Sequence, residues 1–398
     1  MSWGPLPDVL TSVVVPTYFH PSTFRQLSVC RLSVLAPATA RVHLPPRPVA
    51  LLGTLLHHCM VEVGEGRWGV ESDPRSAFDR ILEQATRDME VALAARGWRR
   101  LIPLATTVGA QRWAERARRA RRWAARDAPV RSSGAPRPTV AFRPVAQSAG
   151  TEAAFVGSGR EARIVWPAGR IRGQADRLDR PVAGSVRIVE FKTGEIDGKG
   201  ALESATLQVG LYALAVEAVI GGEVELLIEA EEVVRIAWPA TRPVVQRALD
   251  ETLRDLPAGE VRASEGLAIV GPHCRGCDLR PVCGSYLRTA PDLWDEPGTG
   301  GQMPLDVWGT VIRVGPSGGL VRVEILDASG SLVVVDRVRL ETGSRPPKVG
   351  ATVHFFDLAT DEAPMHAERT RPTNLRDEPR SSASVRRPAW GFQAFVDE

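Results

Sequence analysis

The chain has 398 residues, 43% of them hydrophobic and 24% charged, a balance that excludes an intrinsically disordered protein and allows two or three domains. The net charge of +3 and isoelectric point near 8.7 permit a nucleic-acid partner without demanding one. Five cysteines are too few and too unevenly placed for a secreted disulfide scaffold, and with no charged, apolar leader and no bilayer-length apolar run a cytoplasmic protein without membrane contact is expected.

Residues 1–50 are rich in proline and short apolar pieces and include Cys30, in Leu-Ser-Val-Cys-Arg-Leu; the neighbours alone leave it undecided between a core residue and a ligand. A helix is predicted over 50–63, carrying Gly53-x-x-x-His57 and then His58 and Cys59. Asp73-Pro74 opens a second helix as an N-cap followed by proline at the first helical position. Phe78, Ile81, Leu82, Ala85, Met89 and Leu93 then recur at helical spacing towards Gly97. This pattern is packing rather than chemistry. A third helix, over about 111–126, sets Arg112, Arg116, Arg119, Arg122 and Arg126 along one stripe beside Trp113, Ala117, Ala120 and Ala124. Such a stripe suits either a phosphate backbone or plain solvation. Residues 127–140 read as a flexible loop by composition.

From 153 to 191 the periodicity changes to short strands, predicted over 162–166, 170–175 and 186–191. On the last of these Glu190 and Lys192 are two apart and project from the same face, whereas Phe191 points into the core. Hydrolysis of a phosphodiester needs a hard cation held by a few oxygens, and Asp176, at the end of the adjacent strand, is the candidate for the second ligand. A lysine beside the metal can orient the attacking water and offset developing charge. An isolated E-x-K on a strand is ordinarily just an ion pair. Here it is followed by a turn at Thr193-Gly194 and a helix over 201–220, on which Gln208 and Tyr212 are four apart and share a face. Strands over 224–229 and 233–238 and a helix over 242–253 complete the pattern of a mixed sheet flanked by helices.

Gly173, Asp176, Glu190, Lys192, Gln208 and Tyr212 resemble, in order and spacing, the signature of the RecB-like branch of the PD-(D/E)XK nuclease superfamily. The resemblance implies an α/β, restriction-endonuclease-like core and a Mg²⁺- or Mn²⁺-dependent deoxyribonuclease, an exonuclease in repair, recombination or antiviral defence including CRISPR adaptation. It implies that His57 reaches the metal together with Asp176, Glu190 and the Phe191 carbonyl, His58 being the fallback. Lys192 would orient and activate the water, and Gln208 and Tyr212 would position DNA and the lysine. The other reading is a non-catalytic nucleic-acid-binding subunit, against which the intact set of charged residues argues.

Cys274-x-x-Cys277-x5-Cys283 places three thiols close together among Gly and Pro, a spacing suited to a metal or cluster. Cluster-containing relatives, the AddB-type and CRISPR-associated nucleases, place one cysteine upstream of the G-x-x-x-H helix and three after the catalytic domain. Cys30 occupies the upstream place, so the resemblance implies a 4Fe-4S cluster on Cys30, Cys274, Cys277 and Cys283. Cys59 or His273 could substitute for Cys30, and zinc is the competing metal. The expected divisions are a nuclease domain over 1–295, a barrel over 303–368 and a flexible tail over 369–398.

After a Gly/Pro linker at 296–304, strands are predicted over 307–314, 320–326, 332–338 and 351–358, with no strong helix. A small β-barrel of oligonucleotide-binding type or a plain β-sandwich fits them. Trp390, Phe392 and Phe395 close the tail and read as a docking segment for a protein partner, or as a segment folding back on the barrel. No G-x-x-x-x-G-K-[ST] loop is present, so DNA with free ends or single strands would come from a helicase or other partner.

Overall fold

The computed structural model describes residues 5–68, 73–128, 154–181, 184–194, 199–263, 266–293, 306–327, 330–340, 345–360 and 384–397. Most of the 127–140 loop, the 296–304 linker and residues 369–383 of the expected tail lie outside them.

The first half runs β1 (Ser12–Val14), α1 (Phe24–Val29), α2 (Leu32–Leu35), α3 (Pro48–Gly64), α4 (Pro74–Ala95), α5 (Leu104–Val108), α6 (Ala110–Arg126), β2 (Phe155–Val156), β3 (Gly159–Trp166), β4 (Ile171–Asp179) and β5 (Ser185–Phe191). It continues through α7 (Lys199–Val219), β6 (Glu223–Glu229), β7 (Val233–Ile236), α8 (Trp238–Arg254), β8 (Glu260–Arg262) and α9 (Gly284–Leu293). The last strands are β9 (Val307–Ser317), β10 (Leu320–Asp327), β11 (Leu332–Val338), β12 (Thr352–Thr360) and β13 (Ser384–Asp397). The chain divides into two compact units.

One unit comprises Val14–Leu35 and Pro48–Val261. It is built on a six-stranded sheet in the order β2-β3-β4-β5-β6-β7. Every pairing is antiparallel except β5 with β6. A parallel pair needs a long crossover, and α7 supplies it. That helix is apolar on nearly every side because it is covered by the sheet and by α8: Leu211, Tyr212, Ala213 and Val216 are fully buried. At Gly210 a Cβ would fall 2.6 Å from Val245 of α8. Helices α3, α4 and α6 form a second layer, in which Leu52, Leu56, Phe78, Ile81 and Trp123 share one core with Val189 and Phe191 of β5. Asp73 caps α4, its carboxylate accepting from the amides of Arg75 and Ser76 at 3.2 and 3.1 Å. Helix α8 starts at Trp238, earlier than its apolar pattern suggests, because Pro239 sits in the first turn, where a missing N–H is harmless.

The other unit comprises Met1–Val13, Ala36–Arg47 and Arg262–Glu398, so the cysteine segment groups with the C-terminal strands rather than with the sheet. Its five strands close a barrel in the order β10-β11-β13-β12-β9, around Val311, Val323, Ile325, Val335 and Phe355. Strands β11 and β13 are parallel, and β12 and β13 antiparallel. The final part of the expected flexible tail is therefore a barrel strand. Charge and proline before Trp390 disguise it, yet among the described residues it is this strand that joins β11 to β12. Pro388, which cannot donate to a ladder, pairs with Leu358 beside an irregularity at Asp357, where φ is 57°.

Phe355 and Phe356 point to opposite faces, as neighbours on a strand must, but both are fully buried. Phe355 is in the barrel core. Phe356 lies outside it with Trp308, Tyr286, Cys274 and Leu44, with Phe395 packed alongside. Arg280, between the second and third cysteines of the segment, pairs with Asp306 and Asp357, and the Tyr286 hydroxyl donates to Asp306 at 2.7 Å. Buried charges persist only when paired in this way.

Candidate metal centre

Strand β4 presents Asp176 and strand β5 ends in Glu190 and Phe191, with Lys192 directly after it, so the antiparallel pairing of β4 with β5 brings the carboxylates together. Phe191 anchors the strand end, packing on Trp123 at 5.5 Å between ring centres. Its amide donates to Oδ2 of Asp176 at 2.6 Å. Helix α3 adds Gly53 and His57, and these residues with Met60, Thr193 and Gly194 line a cleft of ≈ 230 Å³. A Cβ on Gly53 would meet nothing within 4 Å, so the G-x-x-x-H spacing leaves open space one turn before the histidine. His57, not His58, lines the cleft.

Lys192, Glu190 and Gln208 form a closed triangle. Nζ of Lys192 donates to Oε1 of Glu190 at 2.8 Å and to Oε1 of Gln208 at 2.9 Å. Nε2 of Gln208 donates to the same Glu190 oxygen at 2.8 Å. Glu190 is only 4% exposed, and its other oxygen, Oε2, is buried with no hydrogen-bond partner. Leaving such an atom unmatched costs about 1–3 kcal/mol. A cation would satisfy it, and the surrounding donors, carboxylate oxygens and one imidazole, suit Mg²⁺ or Mn²⁺.

Glu161 of β3 joins the site without having been foreseen. Its Oε1 lies 2.9 Å from Nε2 of His57; Nδ1 of His57 is 3.7 Å from Oδ1 of Asp176. One ligand atom from each of the three residues lies within 4.8 Å of the others. The register explains it: Arg160 pairs with Arg177 and Ala162 with Ala175, which sets Glu161 opposite Asp176. Counting back through the hairpin turn at 167–170 would have revealed this. Glu161 has a φ of 47°, a left-handed conformation that costs a non-glycine residue about 1–3 kcal/mol and clusters at functional sites.

Electrostatics reflect the crowding of acids. Burial, then the charge of Glu190, pushes the Asp176 carboxyl up to about 8, His57 opposing. Burial alone would lower the pKa of His57, but the bond to Glu161 and the charges of Asp176, Glu161 and Glu190 outweigh it and raise it to about 9. His20, packed edge-on against Tyr212 at 6.5 Å, is lowered by burial and then by the charge of Lys192.

Tyr212 needs correction as a DNA contact. It is fully buried, and its hydroxyl donates to the carbonyl of Gln174 at 2.7 Å; its role is to hold β4 against α7. Gln208, at 7% exposure, touches the lysine rather than solvent. Within the arginine stripe only Arg112, Arg122 and Arg126 are exposed. Arg126 is tied to Asp127 and Glu229. Arg119 donates to the carbonyls of Thr193 and Gly194 at 3.4 and 3.3 Å and pairs with Glu231, bracing the turn that follows Lys192. Cys59 is fully buried and burial pushes its thiol up, as for a core residue. Cys30 and Cys274 are buried, and Cys277 and Cys283 are half-buried. His273 places Nε2 2.6 Å from the carbonyl of Ile269.

The family model for the PD-(D/E)XK nuclease superfamily matches residues 20–284. The chain belongs to that superfamily. The match spans the sheet, the lysine triangle and the cysteine segment, and a PD-(D/E)XK assignment accords with a mixed sheet flanked by helices and an acidic site able to hold a divalent metal. No curated protein matches. Among solved structures, the chain is similar to "Crystal structure of the tetrameric p202 HIN2", at 18% identity, over 24% of this chain and 42% of that chain, with a TM-score of 0.16, too low to carry any argument.

Proposed function

We propose that this PD-(D/E)XK protein is a Mg²⁺- or Mn²⁺-dependent deoxyribonuclease of the RecB-like branch, acting as an exonuclease on DNA with free ends or single strands. The observation that carries this is the unpartnered Oε2 of Glu190, a buried residue that lines one cleft with His57, Asp176 and Lys192. A bound divalent cation supplies Lewis-acid polarisation of the phosphodiester and a lowered water pKa. Asp176, Glu190, His57 and the Phe191 carbonyl are the proposed ligands. Lys192, held by Gln208 and Glu190, stands ready to orient a water and to offset charge developing on phosphorus.

Around this core we propose a 4Fe-4S cluster, with zinc as the alternative, on Cys274, Cys277 and Cys283, a reading supported by their spacing, with Cys30 as the fourth ligand that the family resemblance implies. The strand order of the barrel and the parallel β11–β13 pair support an oligonucleotide-binding type. Its aromatic residues Trp308 and Phe356 are buried, which favours contact with a helicase or another protein over base stacking. DNA repair, recombination and antiviral defence including CRISPR adaptation are the settings in view. The test is purified protein on end-labelled linear and circular, single- and double-stranded substrates, with and without Mn²⁺. Metal-dependent loss of label from linear but not circular DNA is expected; binding without cleavage would favour a non-catalytic subunit.

A further inference from the structure

The imidazole of His57 has unlike surroundings at its two nitrogens. Nε2 is at hydrogen-bond distance from Glu161, 2.9 Å, whereas Nδ1 is 3.7 Å from Oδ1 of Asp176, too far for a direct bond. A neutral imidazole carries one N–H and one lone pair. With the N–H directed to the Glu161 carboxylate, Nδ1 faces a carboxylate oxygen across a gap that a proton fills in the cationic ring and that a divalent ion can fill when the ring is neutral. Asp176 is committed to the Phe191 amide through Oδ2, which leaves Oδ1 for that role. Buried Glu190 lines the same cleft and independently has an oxygen, Oε2, without a hydrogen-bond partner.

We propose that Glu161 is a positioning residue that fixes His57 in the Nε2–H form and thereby aims Nδ1 at a divalent cation shared with Asp176 and Glu190. Histidine ligands of metals ordinarily donate their second ring N–H to a carboxylate or carbonyl, which sets the ring's orientation and raises its basicity. The strand supplies that carboxylate at the position opposite Asp176. The inference rests on the metal-dependent reading above.

The experiment is Mn²⁺ binding to the full chain, followed by calorimetry and electron paramagnetic resonance, with no turnover measured. Glu161→Ala is expected to weaken binding about 10- to 100-fold, and Glu161→Gln, which keeps an acceptor for the N–H, by less. His57→Ala weakens binding too, but adding Glu161→Ala to it produces no further loss, because the carboxylate acts through the ring. Circular dichroism of each variant controls for folding, and Glu161→Gln retains the size of the side chain. Wild-type affinity in a folded Glu161→Ala variant would overturn the proposal. Additive losses in the double variant would also overturn it, making Glu161 a ligand in its own right. No Mn²⁺ binding by the wild-type chain would instead remove the metal-dependent reading and this inference with it.

Discussion

A Cβ on Gly173 would lie 2.8 Å from the hydroxyl oxygen of Tyr212 and 2.9 Å from Cδ of Pro21. The first and last residues of the motif are thus in contact, although separated by a strand and most of a helix. Gly173→Ala should force the buried ring or the strand aside and cost about 1–3 kcal/mol, as overpacking does. Tyr212→Phe removes the hydroxyl and its bond to Gln174, at about 1 kcal/mol, but should soften the effect of Gly173→Ala in the double variant. Urea unfolding of the four proteins measures this; strictly additive losses would show that the two residues do not collide.

Lys192→Ala should lower kcat on the order of 10²–10³-fold while leaving DNA affinity nearly unchanged, since the lysine is proposed to act on charge that develops in the transition state. Single-turnover cleavage with labelled single strands, beside filter binding at matched salt, separates the two quantities. Cleavage at the wild-type rate would remove the lysine from the chemistry.

Protonation and metal should compete. In the metal-free fold the Asp176 carboxyl titrates near 8 rather than 3.8 and His57 near 9 rather than 6.5. Over those windows the folded state holds protons that the unfolded chain has released, so the stability of the metal-free protein falls as pH rises from about 4 to about 9. A divalent ion displaces those protons, and its stabilising effect should therefore grow over the same range. Thermal unfolding with Mn²⁺ and with EDTA at about pH 6, 7.5 and 9 tests the sign. A metal-induced shift in Tm that is constant with pH would contradict the assignment of the titrating groups.

Protein purified without oxygen should be brown, with broad absorbance near about 400 nm and about four irons per chain. Cys277→Ala and Cys30→Ala should each bleach it. One stoichiometric zinc in colourless protein would replace the cluster, and iron retained in Cys30→Ala would transfer the fourth ligand elsewhere.

Removal of residues 384–398 should open the barrel rather than trim a tail, because β13 lies between β11 and β12. The shortened chain should show faster limited proteolysis within 306–360 and a lower Tm for the C-terminal unit. Unchanged proteolysis would mean that the barrel closes without this strand.

What could be read from the sequence follows the distance along the chain over which each feature is encoded. Glu190 and Lys192 share a strand end, and Gln208 follows on the crossover helix, so local periodicity brings them close. His57 came from the resemblance, not from its own surroundings. Glu161 depends on the register of a hairpin, information carried by a turn and not by the residue itself. For Tyr212 the spacing correctly paired it with Gln208 on one helical face, but spacing cannot tell whether a face meets solvent or a strand. Strand β13 was hidden because Arg386, Arg387 and Pro388 lower its β-propensity, and only the barrel's need for a closing strand overrides that.

The barrel-bearing unit is assembled from three separate stretches, the second being Ala36–Arg47. Leu44, in that stretch, is buried with Tyr286, Trp308 and Phe356, residues that leave the ribosome much later. During synthesis Leu44 must therefore wait, uncovered, until nearly the whole chain has emerged, at about 5–20 residues per second. Nascent chains stalled before Trp308 should bind holdase chaperones through this stretch. Messages that end before Trp308 would yield products in which Leu44 stays uncovered.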